Sequence, residues 1–135
     1  MKPERQAATV LSARRLSFTG RVRSFSCAIR GIGIMLRSQH NAWLHALATV
    51  AVVILGLAFQ ISAADWCWIV LATMAVWTAE ALNTAIELLT DVASPAYHPL
   101  AGQTKDVAAG AVLISAIGSS IIGLLVFGPH LWRLL

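Results

Sequence analysis

The run VAAGAVLISAIGSSIIGLLVFG, residues 107–128, contains no charged residue. As a helix rising about 1.5 Å per residue it is about 33 Å long, enough to cross a hydrocarbon core of about 30 Å. Two further segments have the same character. From about Ala42 to Ile61 the strongly polar side chains are His45 and Gln60. From about Trp66 to Val92 the segment opens on Trp66, Cys67 and Trp68, an aromatic cluster suited to a headgroup interface. Pro95 restricts Ser94 and predicts the end of that span, and Gly128 with Pro129 predicts the end of the third. Only 12% of the 135 residues are charged and 58% are hydrophobic. Soluble domains carry about 25% charged residues. The composition therefore disfavours a soluble enzyme, a nucleic-acid-binding module and a disordered tail. The expected fold is all-α and membrane-integral, with spans at about 42–61, 66–92 and 107–128.

Charge placement sets an expected orientation. Lys2, Arg5, Arg14, Arg15, Arg21, Arg23, Arg30 and Arg37 all precede the first span, and only Lys105 and Arg133 follow it. A basic flank beside an apolar run marks the cytosolic side. No apolar signal core precedes a cleavage-type site in the first 40 residues. Residues 1–20 show no strong periodicity and are expected to form a mobile basic arm, ahead of a domain at 21–135. Residues 22–38 fit an amphipathic surface helix: Arg23, Arg30 and Arg37 recur every seven residues, with Phe25, Ala28, Ile29, Ile32, Met35 and Leu36 opposite. Gly31 and Gly33 would allow a bend there. Cys27 and Cys67 fall on opposite membrane sides and are expected to be free. Ala111, Ser115, Ser119 and Gly123 form a line of small residues on the third span, which suits close helix packing and an oligomer.

The stretch EALNTAIELLTD, residues 80–91, carries the chemistry. Helical geometry brings Glu80, Asn83, Glu87 and Asp91 to one face, bordered by Thr84, with Glu80 about 16 Å deeper than Asp91. Carboxylates inside a membrane repel one another and are costly to desolvate. Either a divalent cation neutralises some of them or one carries a proton. The bland alternative is an ion-paired structural stripe. It needs cationic partners, yet no Lys or Arg lies between Arg37 and Lys105. Gln39, His40, Asn41 and His45 enter the first span from the same side. Tyr97, His98, Lys105 and Asp106 lie there as well. Asp106 in a first helical turn would also suit the helix dipole, and Lys105 could simply snorkel. Carboxylates beside a lysine fit magnesium together with substrate phosphates. There is no GxxxxGK[ST], HExxH or CxxC motif.

The 80–91 run, followed by Tyr97-His98 and then KDVAAGAV at residues 105–112, resembles the prokaryotic integral-membrane diacylglycerol kinase and undecaprenol kinase family. The likeness extends over about residues 21–129 and includes Ser24-Phe25 through Gly31 in the surface helix. The resemblance implies a homotrimer in the bacterial inner (cytoplasmic) membrane, with its N-terminus and shared active sites facing the cytosol. It implies transfer of the ATP γ-phosphate to a lipid hydroxyl with Mg²⁺. Diacylglycerol, giving phosphatidic acid, is the first expected acceptor, and undecaprenol is the alternative. By position, Glu80 would be the general base and Glu87 would bind metal–ATP. Asn83, Asp91, Tyr97, His98, Lys105 and Asp106 would position nucleotide and phosphates.

Two positions depart from the family pattern. Gln39 stands where many members have a metal-binding Glu, and Cys27 stands near a position that is often aromatic. Two other functional classes compete. An ion or proton conductor would carry acids on toward the outer side, but the stripe stops at Glu80. A non-catalytic membrane scaffold draws its support from Gln39.

Overall fold

The computed structural model describes residues 18–133. Among these, four helices follow in order: α1 (Phe18–Ser38), α2 (His40–Ala58), α3 (Ala63–Ala93) and α4 (Pro99–Trp132). Helices α2, α3 and α4 are each long and apolar enough to cross a membrane. The chain divides into two units, residues 1–34 and 35–135. Most of the expected basic arm, residues 1–17, lies outside the described residues. In the first unit α1 begins at Phe18, ahead of the expected Val22, and runs unbroken through Gly31 and Gly33. Arg21, Arg23 and Arg30 are exposed on it, and so are Phe25, Ile29 and Ile32. Cys27 and Cys67 are both free.

In the second unit the closest packing is between α3 and α4, and α2 packs on both. The turn from α2 to α3 explains why α2 stops at Ala58 rather than Ile61. Gln60 takes a left-handed conformation with φ 49°. The Ile61 N–H then returns to the Gly56 carbonyl at 3.2 Å, and the Gln60 N–H to Leu57 at 3.3 Å. This is a Schellman closure, in which the terminal carbonyls of a helix find donors. Ser62 opens α3 with a capping box: its hydroxyl accepts from the Asp65 N–H, and Asp65 accepts from the Ser62 N–H. Capping lets the helix start at Ala63, before the tryptophan cluster.

Ile61, Ile69, Val126 and Phe127 form a buried cluster at this end, with Val52, Leu55, Phe59, Trp66 and Ile122 packed around it. Gly56 makes room for Trp66: a Cβ there would lie 2.7 Å from two atoms of the indole ring and 3.3 Å from Ile61 Cδ1. Gly56→Ala should therefore destabilise the protein. Overpacking costs about 1–3 kcal/mol, against about 1 kcal/mol gained in helix propensity. The indole is rigid, so the packing penalty wins. Thermal unfolding in detergent should show a lowered Tm, and an unchanged or raised Tm would refute the tight fit.

Helix α4 differs from expectation at both ends. It starts at Pro99, which needs no N–H partner in a first turn, and His98 Nδ1 caps it by accepting from the Leu100 N–H at 3.2 Å. Lys105 and Asp106 consequently lie beyond the first turn, so the dipole reading of Asp106 is withdrawn. Nor do Gly128 and Pro129 stop the helix, which continues to Trp132. Pro129 removes one hydrogen bond close to the terminus, where few remain to lose. The His130 ring stacks on Phe59 at 5.5 Å and holds the last turn against α2. Polar links tie the helices at mid-depth. Trp77 Nε1 donates to Thr49 Oγ1 at 3.1 Å, and Ser119 Oγ donates to the Ala72 carbonyl at 2.9 Å. Ser119, from the small-residue line, thus packs within the subunit.

Candidate active site

The acidic face of α3 forms a gradient of burial. Glu80 is 0% exposed, Asn83 5% and Thr84 4%, whereas Glu87 is half-buried and Asp91 exposed. The 31-residue length of α3 produces this gradient. The stripe starts at mid-helix under the cover of α2 and ends where the helix emerges.

At the emerging end, Lys105 of α4 donates to Asp91 Oδ1 at 2.5 Å. Both groups are substantially exposed, so the pair contributes about 0–1 kcal/mol to stability. Its value is positional, because it holds an ammonium beside the stripe. One step deeper, Glu87 receives two amides. Gln39 Nε2 donates to Oε2 at 2.5 Å, and Asn83 Nδ2 donates to Oε1 at 3.0 Å. Gln39 caps the start of α2 in an extended conformation, and this aims its side chain across at α3. The Asn83 Oδ1 atom is buried and has no hydrogen-bond partner among the described residues.

Deeper still, Glu80 sits with both carboxylate oxygens buried and without a hydrogen-bond partner among the described residues. Its closest charged or chargeable neighbour is His45 of α2, with Nε2 3.8 Å from Oε2, and that nitrogen is also buried and unpartnered. A buried ion lacking hydrogen bonds costs several kcal/mol. Thr84 offers no relief, since its hydroxyl donates to the Glu80 backbone carbonyl. Packing alone gives no reason to keep such a group. A ligand bearing a hydroxyl would supply the missing donor.

The structure therefore brings together Gln39, Asn83 and Glu87, joins Asp91 to Lys105, and adds His45 to Glu80. Tyr97 is 90% exposed, and His98 and Asp106 are also exposed. These three line the emerging end and make no side-chain bond to the stripe among the described residues. The residue that sequence reasoning underused is His45. A signal for it existed: counted from the turn, His45 lies about 24 Å up α2 and Glu80 about 27 Å up α3. Matching depth on antiparallel neighbours points to contact.

No cluster of three His, Cys, Asp or Glu side chains capable of holding a metal occurs among the described residues. Magnesium needs less, because it binds through one or two carboxylates together with substrate phosphates. Glu87, the unpartnered Asn83 Oδ1 and the Gln39 amide oxygen are hard oxygen donors of the right kind, so the residues fit.

The family model for prokaryotic diacylglycerol kinase matches residues 26–127. An undecaprenol kinase of Bacillus subtilis is 44% identical over 109 residues, covering 81% of this chain and 89% of its own. A diacylglycerol kinase of Synechocystis is 34% identical over 113 residues, covering 83% of this chain and 65% of its own. The Escherichia coli diacylglycerol kinase is 26% identical over 113 residues, covering 78% and 93%. Both the acidic stripe and the lysine–aspartate pair lie within the matched segment, and the chain belongs to the prokaryotic diacylglycerol kinase family.

Proposed function

We propose that the protein is an ATP-dependent lipid kinase that transfers the γ-phosphate to the hydroxyl of a membrane lipid. The observation carrying this reading is Glu80, a fully buried carboxylate with two free oxygens at membrane depth. An alcohol is a weak nucleophile, so a positioned base must accept its proton as the oxygen attacks phosphorus. Glu80 takes that role. Transfer is direct and in line, without a phosphoenzyme. The remaining work is positioning and charge compensation. Asp91 orients Lys105 toward the phosphates. Glu87, Asn83 and Gln39 hold the metal–nucleotide end, where Mg²⁺ would offset charge on the transferring group. Tyr97, His98 and Asp106, exposed at the same end, contact the nucleotide.

The same reading places the protein in the inner membrane, with α1 lying on the cytosolic surface. It makes the functional unit a homotrimer in which neighbours complete each site. Large apolar side chains exposed on a single chain, such as Leu47, Val107 and Ile114, support cover by lipid and by other copies. Two acceptors are carried forward. The family description names diacylglycerol. The 44% identity to an undecaprenol kinase, against 34% and 26% for the diacylglycerol kinases, favours the prenol.

The test is a panel of hydroxyl lipids assayed with the purified protein and γ-labelled ATP. Label should enter undecaprenol faster than diacylglycerol, with ATP consumption strictly dependent on lipid. Label in diacylglycerol alone would reverse the acceptor. Label in no lipid would leave the conductor or scaffold.

A further inference from the structure

A base that is 0% exposed must lose a proton in every turnover as well as gain one. Among the described side chains, one chargeable group stands within reach of that buried carboxylate. The group in place is His45, with Nε2 3.8 Å from Glu80 Oε2 and its side chain 17% exposed. Besides facing Glu80, His45 lines a crevice of about 210 Å³ between α2, α3 and α4. The polar groups along that crevice are Thr49, Thr73, Trp77, Ser119 and Ser120, and His45 is the only lining residue able to carry a charge. The other ionisable neighbours are occupied or absent. Glu87, on the same helix, already accepts from Gln39 and Asn83. Lys105 is held by Asp91. Helix α4 has no ionisable residue between Asp106 and His130.

We propose that His45 is the proton-relay residue of this site, carrying the proton from Glu80 to the crevice. The proposal rests on Glu80 being the base. In the first step the bond from the γ-phosphorus to the bridging oxygen of ATP breaks as the lipid oxygen forms its O–P bond, and ADP leaves with that oxygen; the lipid O–H bond breaks and its proton goes to Glu80 Oε2. In the second, the O–H bond on Glu80 breaks as an N–H bond forms on His45 Nε2, which leaves a carboxylate and an imidazolium. The imidazolium then gives its proton to water and returns to neutral imidazole. The 3.8 Å separation must close by about 1 Å to reach hydrogen-bond distance. Among the described residues neither atom has another hydrogen-bond partner to give up in closing that gap. Imidazole suits the task, since its two ring nitrogens can accept a proton on one side and donate one on the other.

The experiment is rapid-quench kinetics on the full chain in lipid–detergent micelles. A deprotonated Glu80 supports one transfer without the relay. In His45→Ala the first phosphorylated lipid per site should therefore form at the wild-type rate. Steady turnover should then fall on the order of 10²-fold, giving a burst of one product per site. Added imidazole should restore the steady rate in proportion to its concentration. His45→Gln, which fills the space without relaying, should show the same burst if the alanine variant does not fold. Wild-type steady turnover in both variants would overturn the relay, and so would equal loss of the first and later turnovers without imidazole rescue. If Glu80→Gln itself keeps full turnover, the base assignment fails first. If Glu80→Gln is inactive while His45→Ala is not, the relay alone is wrong.

Discussion

Glu80→Gln should leave a folded protein that still binds nucleotide but turns over about 10²–10⁴-fold more slowly. Glutamine matches glutamate in shape, so the packing that buries position 80 is preserved. It cannot take a proton from an attacking hydroxyl. The stability consequence runs the other way. Neither Glu80 oxygen has a hydrogen-bond partner among the described residues, so the substitution breaks no hydrogen bond and removes the cost of a poorly compensated buried charge. The variant should therefore melt at or above the wild-type temperature. Function and stability are expected to move in opposite directions, as is common where an active site holds a group against its own preference. Both readouts come from one preparation, through lipid phosphorylation and thermal unfolding. Wild-type turnover would remove Glu80 from the chemistry. A large drop in Tm would mean that the charge is balanced by a partner absent from the chain alone.

Glu87→Ala should have the second largest effect, and here activity and stability fall together. Removing the carboxylate strips the acceptor from both Gln39 and Asn83. Asn83 is 5% exposed and its Oδ1 is already unpartnered, so its whole amide would be orphaned. A buried polar group left unsatisfied costs about 1–3 kcal/mol. The loss of the single carboxylate among the proposed metal donors should also weaken metal–ATP binding by at least about 10–100-fold, the scale seen even for outer-shell changes. ATP titrations at several Mg²⁺ concentrations measure this. An unaltered ATP and Mg²⁺ dependence would place the cation elsewhere.

Much of the fold was legible because membrane solvation acts on composition. A charge-free run such as residues 107–128 has few alternatives to a span. The acidic face was legible because helical spacing fixes which residues share a side. Element ends were harder to read, since they depend on local closures that periodicity does not encode. The left-handed Gln60 and the Ser62–Asp65 cap moved the first turn. Proline proved ambiguous: Pro99 begins α4, Pro95 follows the end of α3, and Pro129 is tolerated inside a last turn. Within the site, the stripe itself could be read, but its partners could not. Gln39 against Glu87 and His45 against Glu80 are contacts between helices. They depend on the rotation and height of α2 relative to α3, and a single sequence does not state these directly.

Those heights are set far from the chemistry. The notch at Gly56 that receives Trp66 pins α2 to α3 beside the turn that joins them. From that pin, His45 stands about 16 Å along one helix and Glu80 about 21 Å along the other. The joint thus works as the zero mark of a ruler whose reading is taken further along the two helices, at His45 and Glu80. A single residue inserted in α2 above the notch would rotate His45 by about 100° and displace it by about 1.5 Å, detaching it from Glu80 while every span stayed apolar and long enough to insert. Such a protein would look intact by hydropathy and be miscalibrated where it counts.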